Sequence, residues 1–369
     1  MRWSSEGRPC SIGPRHPGRM HPRPSRRALL AATALSSATV LPALLTDSAT
    51  AVPASDGPRF RIAVATNEPW GTYHVRPVLD DIAARGGEIL QVVPDLEGIG
   101  AEETVPVRTL EQMRAEDVDL LVVSGATDWP GQVAEALPDI PVLASSLAYM
   151  NAVEGPHAAA LRPRLLPGTA SSDAEAETFA VHMGVPVPSL RVVGIPELDD
   201  LPQRAPESGT VLVATSVTHA DETGGAAPGA ELLLETAHAL ADRGRRILVG
   251  LHPREDRSLW SDFEIAEEGT LAASARAEAV VGIPGSVFPK IAAVGTPLVG
   301  ITADGIQVPQ YLLDLGASAA TLEEALAAVE SAEPVDKRTL RHVVGPLGRA
   351  GTTYAQVLFA AARRVGRER

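Results

Sequence analysis

The segment Gly282-Ile283-Pro284-Gly285-Ser286 has the residue types that bind a phosphoryl group at the start of a helix. It ends a short apolar run and precedes a helical pattern that continues to Val294. Small residues let backbone N–H groups approach an anion, the helix dipole favours negative charge there, and Ser286 adds a hydroxyl. We therefore predict that Gly285 and Ser286 bind phosphate. A plain strand–helix turn with glycine as a spacer is the alternative.

Two more polar groups follow predicted strands of the same half of the chain. Thr215 and Ser216 end the strand that begins at Thr210, and hydroxyls at the carboxyl end of a parallel strand point toward the ligand crevice. His252 and Arg254 follow the next strand, where an imidazole can protonate a leaving phosphate and a guanidinium can bind it through two N–H groups. These four residues complete the first outline of a phosphate site. An ordinary polar loop, or a capping histidine beside a solvated Arg-Glu pair, would have the same sequence.

Three motifs of this half resemble one superfamily. The loop 282–286, its helix and then Gly295-Thr296-Pro297 are similar to the donor-diphosphate segment of GT-B glycosyltransferases and UDP-N-acetylglucosamine 2-epimerases. His252-Pro253 resembles the motif of CDP-glycerol glycerophosphotransferases and related capsule enzymes, and Gly194-Ile195-Pro196 with Asp199 resembles the stretch that leads into their second domain. The resemblance implies a nucleotide-activated donor as substrate, with no cofactor.

The chain departs from the 2-epimerase pattern at one place. Alignment of Gly285, Ser286 and Gly295 puts Pro289 and Lys290 where those epimerases have paired glutamates that hold the ribose hydroxyls. A lysine cannot accept two hydroxyl protons, so Lys290 is predicted to face a further phosphate or a carboxylate. An epimerase-like activity therefore remains only an alternative.

The resemblance also implies one general base near the acceptor hydroxyl. His74, Asp128 and Glu154 follow predicted strands of the first half and are the candidates, with a solvated loop position as the alternative for each. No metal site is predicted, since the chain has no His-x-x-x-His pair and no cysteine pair. If the protein is active, we expect a metal-independent transferase.

Short apolar runs alternate with helical patterns along the whole chain after residue 59. Such alternation predicts an α/β fold with parallel sheets, arranged as two Rossmann-like domains that face each other across a cleft. The predicted bounds are 59–196 for the acceptor domain, 197–209 for a linker, 210–350 for the donor domain and 351–369 for a terminal helix. Strands are expected at 60–65, 89–93, 120–123, 142–144, 190–194, 210–215, 247–251, 278–282 and 297–301. Helices are expected at 75–84, 110–116, 132–137, 173–183, 230–243, 286–294, 322–331 and 354–365.

Residues 1–51 read as a leader with a twin-arginine signal peptide. Arg26-Arg27 precedes an apolar run to Leu45, and Ala49 and Ala51 supply the small residues of a cleavage site. We expect export to the cell envelope or medium, with only transient membrane contact through this signal. A retained anchor, or a misassigned start that leaves the protein cytoplasmic, is the alternative.

Composition narrows the classes of partner. The net charge is −14, and residues 1–51 contain seven arginines and two acids, which leaves 25 basic and 44 acidic residues elsewhere. A surface with that excess of acids repels nucleic acid and anionic lipid. The only cysteine is Cys10, so a chain cleaved after Ala51 would have no disulfide and no thiol chemistry.

These patterns favour a glycosyltransferase-like or glycerophosphotransferase-like enzyme of cell-surface glycopolymer assembly. It would take a small phosphorylated or nucleotide-sugar substrate and a glycan as acceptor. Nucleotide sugars are cytoplasmic, so an exported enzyme would need another phosphate-ester donor. The alternative from a different class is an exported, non-catalytic carbohydrate-binding protein on the same scaffold.

Overall fold

Two parallel β-sheets, each covered by helices, form the part of the chain that the computed structural model describes, residues 60–146, 149–220 and 225–368. These residues belong to one compact unit, Ser55–Arg369. The predicted signal peptide and its cleavage site lie outside the described residues. The predicted α/β class with two parallel sheets is confirmed.

The first sheet has seven strands in the order β3-β2-β1-β4-β5-β6-β7. Its central strands are apolar on both faces because helices cover both sides. The strands are β1 (Phe60–Ala65), β2 (Gly87–Val93), β3 (Val107–Thr109), β4 (Leu120–Val123), β5 (Val142–Ser145), β6 (Leu165–Ala170) and β7 (Leu190–Val192). The helices between them are α1 (Leu79–Ala83), α2 (Leu110–Met113), α3 (Asp128–Ala136), α4 (Ala158–Leu161) and α5 (Asp173–Met183).

The second sheet has six strands in the order β10-β9-β8-β11-β12-β13. They are β8 (Thr210–Ala214), β9 (Arg246–Gly250), β10 (Glu264–Ile265), β11 (Ala279–Gly282), β12 (Leu298–Ile301) and β13 (Ala317–Ala319). The helices of this half are α6 (Ala230–Asp242), α7 (Thr270–Ser274), α8 (Val287–Val294), α9 (Gln310–Leu313), α10 (Leu322–Ser331) and α11 (Lys337–Val344). We call this sheet and its helices the second lobe.

The last helix, α12 (Ala350–Glu368), returns to the first sheet. Tyr354 and Leu358 are buried against Phe60 and Ile62 of β1, so α12 completes the core on one face of that sheet. We call the first sheet, α1 to α5 and α12 together the first lobe. The carboxylate of Asp199 accepts hydrogen bonds from the backbone N–H groups of Ala350 and Gly351, at 2.7 and 2.8 Å, and so fixes the start of α12.

Sequence patterns did not predict strands β3, β6, β10 and β13 or helices α4, α7, α9 and α11. Strand β6 contains Pro167, which lies where the pairing with β5 shifts register between Leu143 and Ser145, and a proline at such an irregularity costs no ladder bond. The other missed strands have only two or three residues, too few for a period to be visible. Helix α3 begins at Asp128, earlier than predicted, and the predicted helix 75–84 is regular only over α1.

A buried glutamate joins the two lobes. Ser172 caps α5 by accepting from the backbone N–H of Glu175 at 3.1 Å, which is the residue placement of a capping box. The carboxylate of Glu175, however, turns into the protein, where Ser146 Oγ donates to it at 2.5 Å and the Tyr311 hydroxyl of α9 donates to its other oxygen. Because Tyr311 belongs to the second lobe, this carboxylate bridges the two lobes.

Burial raises the pKa of the Glu175 carboxyl from 4.5 to about 7, although the bonds from Ser146 and Tyr311 oppose the shift. The folded protein therefore holds this proton more tightly than the unfolded chain does. It follows that the contribution of Glu175 to stability is complete below pH 4.5 and is lost as the pH rises to about 7.

We expect Glu175→Gln to remove this part of the pH dependence, since glutamine stays uncharged. The free energy of unfolding of the variant, relative to that of the wild type, should rise by about 3 kcal/mol between pH 4.5 and pH 8. Chemical denaturation over that range measures it, with Glu111→Gln, an exposed glutamate of α2, as the control. Parallel pH profiles for wild type and Glu175→Gln would contradict the assignment.

Candidate functional site

A cleft that is open to solvent and has a cavity volume of about 60 Å³ lies between the lobes. Its polar lining comes from both lobes and from the segment that joins them, with Tyr73, His74, Ser145, Ser146, Tyr149, Ser171, Glu197, Ser286, Lys290 and Tyr354. A ligand in this cleft would therefore touch both lobes at once.

The register of the second sheet brings the predicted phosphate-binding loops to one edge. Gly250 of β9 pairs with Ala214 of β8, and Ala214 pairs with Gly282 of β11. The loops that carry His252, Thr215 and Ser286 therefore start side by side, over a width of about 10 Å.

Ser286 immediately precedes α8, and its exposed hydroxyl makes no capping bond to that helix. In the first turn of α8, the Phe288 N–H already donates to the Gly285 carbonyl oxygen at 3.0 Å, and Pro289 has no N–H. Ser286 also lines the cleft, so this helix start opens toward the space between the lobes.

The glycines at this edge of the sheet differ in whether a side chain would fit at their positions. A Cβ on Gly282 would lie 2.8 Å from the Ala214 carbonyl oxygen, and one on Gly300 would lie 2.9 Å from the Pro284 ring. Those two glycines are required by internal packing. A Cβ on Gly285 would have no neighbour nearer than 3.9 Å, so nothing within the described protein requires glycine there.

His252 is fixed in one tautomer by its own loop. Its backbone N–H donates to Thr215 Oγ1 at 2.7 Å, and the Arg254 backbone N–H donates to its ring Nδ1 at 3.2 Å. Because Nδ1 accepts, the neutral ring carries its proton on Nε2. Burial and the Arg254 charge lower the pKa of His252, while Glu255 and, from the first lobe, Glu68 oppose the shift.

The remaining predicted phosphate ligands of the second lobe differ in their surroundings. Arg254 is exposed and Ser216 is half-buried. Neither is among the residues that line the cleft, and the same holds for Thr215, His252 and Gly285. Lys290 does line the cleft, and it forms an ion pair with Glu197 of the segment between the lobes. The carboxylate that Lys290 faces thus belongs to this chain, and its role toward a ligand stays a prediction.

Of the three candidate bases, His74 lines the cleft beside Tyr73, with ring centres 4.2 Å apart. Asp128 begins α3 and is exposed, with an oxygen 3.4 Å from His157 Nε2. Glu154 is paired with Arg162 at 2.7 Å. Neither Asp128 nor Glu154 lines the cleft, and a catalytic role for any of the three stays a prediction.

Sequence reasoning missed most of the first-lobe lining. Ser145, Ser146 and Ser171 follow or end β5 and β6, and one of those strands was not predicted. A compositional signal was available, since the chain has only four tyrosines. Three of them line the cleft, and the fourth, Tyr311, has its ring 6.0 Å from that of Tyr149.

Within the described ranges, no group of three or more His, Cys, Asp or Glu side chains is placed to hold a metal ion. The sequence Asp117-Val118-Asp119 lies at the amino end of β4, where Asp119 accepts from the Arg61 backbone N–H at 2.8 Å. This is the edge of the first sheet away from the cleft.

Among the helices that the structure describes, none is long and apolar enough to cross a membrane.

The tautomer of His252 leads to a direct test. We expect nitrogen-15 NMR to show the proton on Nε2 in the neutral ring and a pKa below 6.5, because burial and Arg254 disfavour the cation. His252→Gln, by removing the signal, assigns it. A proton on Nδ1, or a pKa above 6.5, would contradict the geometry.

Comparison with known proteins was informative only for the fold. No family model matches the sequence, and no curated protein matches it. The UDP-GlcNAc 2-epimerase of Methanocaldococcus jannaschii, in complex with UDP-GlcNAc and UDP, is similar at 14% identity and a TM-score of 0.53, covering 82% of this chain and 100% of that one. The wall teichoic acid polymerase TagF, soaked with CDPG, is similar at 10% identity and a TM-score of 0.56, covering 83% and 90%. CalG4, the calicheamicin glycosyltransferase, is similar at 14% identity and a TM-score of 0.51, covering 84% and 97%. The chain therefore has the α/β fold with two parallel sheets that GT-B glycosyltransferases have.

Proposed function

We propose that this protein is a transferase that binds a nucleotide-diphosphate or other phosphate-ester donor in the cleft between its lobes. It would transfer a glycosyl or glycerophosphate group during assembly of a cell-surface polymer. The observation that carries the proposal is Ser286, which lines the cleft directly before α8 and has an exposed hydroxyl that makes no capping bond. Positive partial charge at a helix start favours a phosphoryl group there.

Each neighbouring loop has a part in this scheme. The Nε2–H of His252 donates to a donor oxygen, and Thr215 holds the His252 loop through its 2.7 Å bond. When the bond to the leaving phosphate breaks, the Nε2–H of the neutral His252 ring keeps its proton and stabilises the growing negative charge through a hydrogen bond. Arg254 and Ser216 border the same edge and reach the more exposed part of the donor.

The acceptor enters from the first lobe. His74 is the preferred base, because it lines the cleft whereas Asp128 and Glu154 do not. A base within hydrogen-bond reach of the acceptor hydroxyl removes its proton as the new bond forms. Glu68, whose carboxylate accepts from the Tyr73 hydroxyl and whose charge favours the protonated form of His252, is available to orient the acceptor.

Neighbouring folds guide the choice of probes. The 2-epimerase structure contains UDP-GlcNAc and UDP, and the TagF structure was soaked with CDPG. The sequence identity of both proteins to this chain is too low for their ligands to be assigned to it. They support nucleotide donors only as the first ligands to test.

The leader suggests where the activity takes place. We propose that residues 1–51 direct export, in which case the donor is a phosphate ester found outside the cytoplasm. Cell fractionation and amino-terminal sequencing of the mature protein should recover a chain that begins at Val52. A cytoplasmic chain that retains Arg26 and Arg27 would rule export out.

A non-catalytic carbohydrate-binding protein is the second candidate, and the Lys290–Glu197 ion pair favours it. In that pair Glu197 neutralises Lys290, the cation that would otherwise bind an anionic donor. Carbohydrate binding without turnover of any phosphate ester would select this candidate.

Binding can be tested by calorimetry with UDP-GlcNAc and CDP-glycerol. Ser286→Ala should weaken binding about ten- to hundredfold, the worth of one hydrogen bond to a charged group. Gly285→Ala should leave the melting temperature unchanged, because its Cβ meets open space, yet weaken binding because that space is where the phosphate approaches the backbone. Ser331→Ala, whose hydroxyl bonds only within α10, is the matched control.

The outcomes separate a ligand site from a simple turn. If Gly285→Ala and Ser286→Ala bind as the wild type does, the segment is only a connection between β11 and α8. If neither nucleotide ligand nor any other phosphate ester binds the wild type, the proposed transferase function is wrong.

A further inference from the structure

The first-lobe end of the cleft is a pocket of hydroxyl groups. Ser145, Ser146 and Ser171 are 1%, 9% and 6% exposed and all line it. The tyrosines Tyr149 and Tyr354 complete its wall. The charged side chains that line the cleft, Lys290 and Glu197, lie outside this group and are paired with each other. The pocket therefore offers hydrogen bonds without net charge.

Two hydroxyls in this wall, those of Tyr149 and Tyr354, have no hydrogen-bond partner among the described residues. The Tyr149 hydroxyl oxygen is buried. A buried hydroxyl without a partner is costly, and native proteins rarely leave one without a water or ligand. Burial and the Glu175 charge raise the pKa of Tyr149, so the group stays protonated and can donate.

Two of the serine hydroxyls are held in place by the protein. Ser145 Oγ and Thr169 Oγ1 are 2.8 Å apart, and Ser146 Oγ donates to Glu175 at 2.5 Å. Behind Tyr149, Tyr311 is tied to the same Glu175 carboxylate. The wall is thus preorganised, and a ligand that matches it binds without rearranging the side chains.

We propose that this hydroxyl-lined pocket binds an uncharged polyhydroxyl group, the sugar or glycerol unit of the donor whose phosphoryl group lies at Ser286. Sugar and glycerol hydroxyls both donate and accept, so they pair with serine and tyrosine hydroxyls and satisfy Tyr149. The pocket selects against acidic sugars, since a carboxylate there would lose hydration while the cleft-lining Lys290 is already paired with Glu197. The inference rests on the proposed function for the position of the phosphoryl group only.

Tyr149→Phe tests the pocket by removing a single oxygen. In calorimetry on the full chain, the variant should bind UDP-GlcNAc and CDP-glycerol about three- to tenfold more weakly, the worth of one neutral hydrogen bond. Its affinity for UDP and CDP, which lack the polyol, should equal that of the wild type. Without ligand its melting temperature should rise, because an unsatisfied buried hydroxyl has been removed.

Ser286→Ala and Ser331→Ala serve as the two reference variants. Ser286→Ala should weaken the binding of UDP-GlcNAc, CDP-glycerol, UDP and CDP, since the Ser286 hydroxyl faces the phosphoryl group. Ser331→Ala should leave the binding of all four unchanged. UDP-glucuronate should bind the wild type at least tenfold more weakly than UDP-glucose. If Tyr149→Phe loses affinity for UDP and UDP-GlcNAc equally, or loses affinity for neither, the pocket assignment is wrong and the phosphate site is unaffected.

Free polyols make the test independent of the nucleotide. Saturation-transfer NMR with glycerol and N-acetylglucosamine should give signals with the wild type that Tyr149→Phe reduces. If these signals appear while no nucleotide binds, the pocket assignment holds and the proposed transferase function fails. If no probe, nucleotide or polyol, shows a dependence on Tyr149, the inference is wrong.

Discussion

The parallel register of the second sheet sets Gly250, Ala214 and Gly282 in one row, and the three loops that follow these residues therefore begin beside one another. Thr215, His252 and Ser286 are 37 and 34 residues apart in the sequence, and the bond from the His252 backbone N–H to Thr215 Oγ1 ties two of these loops together. Small residues in this row let the loops lie close over the sheet edge. The geometry of the candidate site follows from backbone pairing first and from side chains second.

The net charge of the protein, −14, opposes the binding of an anion in the cleft. Long-range attraction is absent, and Lys290 is largely neutralised by Glu197. The available donors are backbone N–H groups, hydroxyls and the Nε2–H of a neutral His252. Selection therefore depends on short hydrogen bonds in a partly desolvated space, which discriminate by shape more than by charge.

Sequence reasoning predicted the two-sheet α/β class and the strands and helices with a clear period, such as β1, β4, β8 and α6. It also identified Ser286, His74 and Lys290, which line the cleft. It did not foresee β6, because Pro167 and Gly168 argue against a strand and only the register shift beside β5 accommodates them. The Glu175 bridge was hidden, because the sequence around Ser172 and Glu175 is that of an ordinary helix cap, and the direction of a side chain depends on packing between distant elements.

The first lobe was equally hard to complete from local pattern, since its wall of hydroxyls gathers from strand ends and from Tyr354, far along the chain. Serine and tyrosine at a strand end carry no periodic signal. The chain has only four tyrosines, which drew attention to those residues, but the rarity of a residue type does not indicate where it lies in the fold.

The return of α12 to the first sheet has a consequence for biosynthesis. Phe60 and Ile62 pack against Tyr354 and Leu358, which are synthesised almost 300 residues later. While the ribosome still holds the carboxyl end, one face of the amino-terminal sheet stays uncovered and exposes apolar surface. The half of the molecule that is made first is thus the last to be finished, and the nascent chain needs protection from aggregation until its final residues emerge.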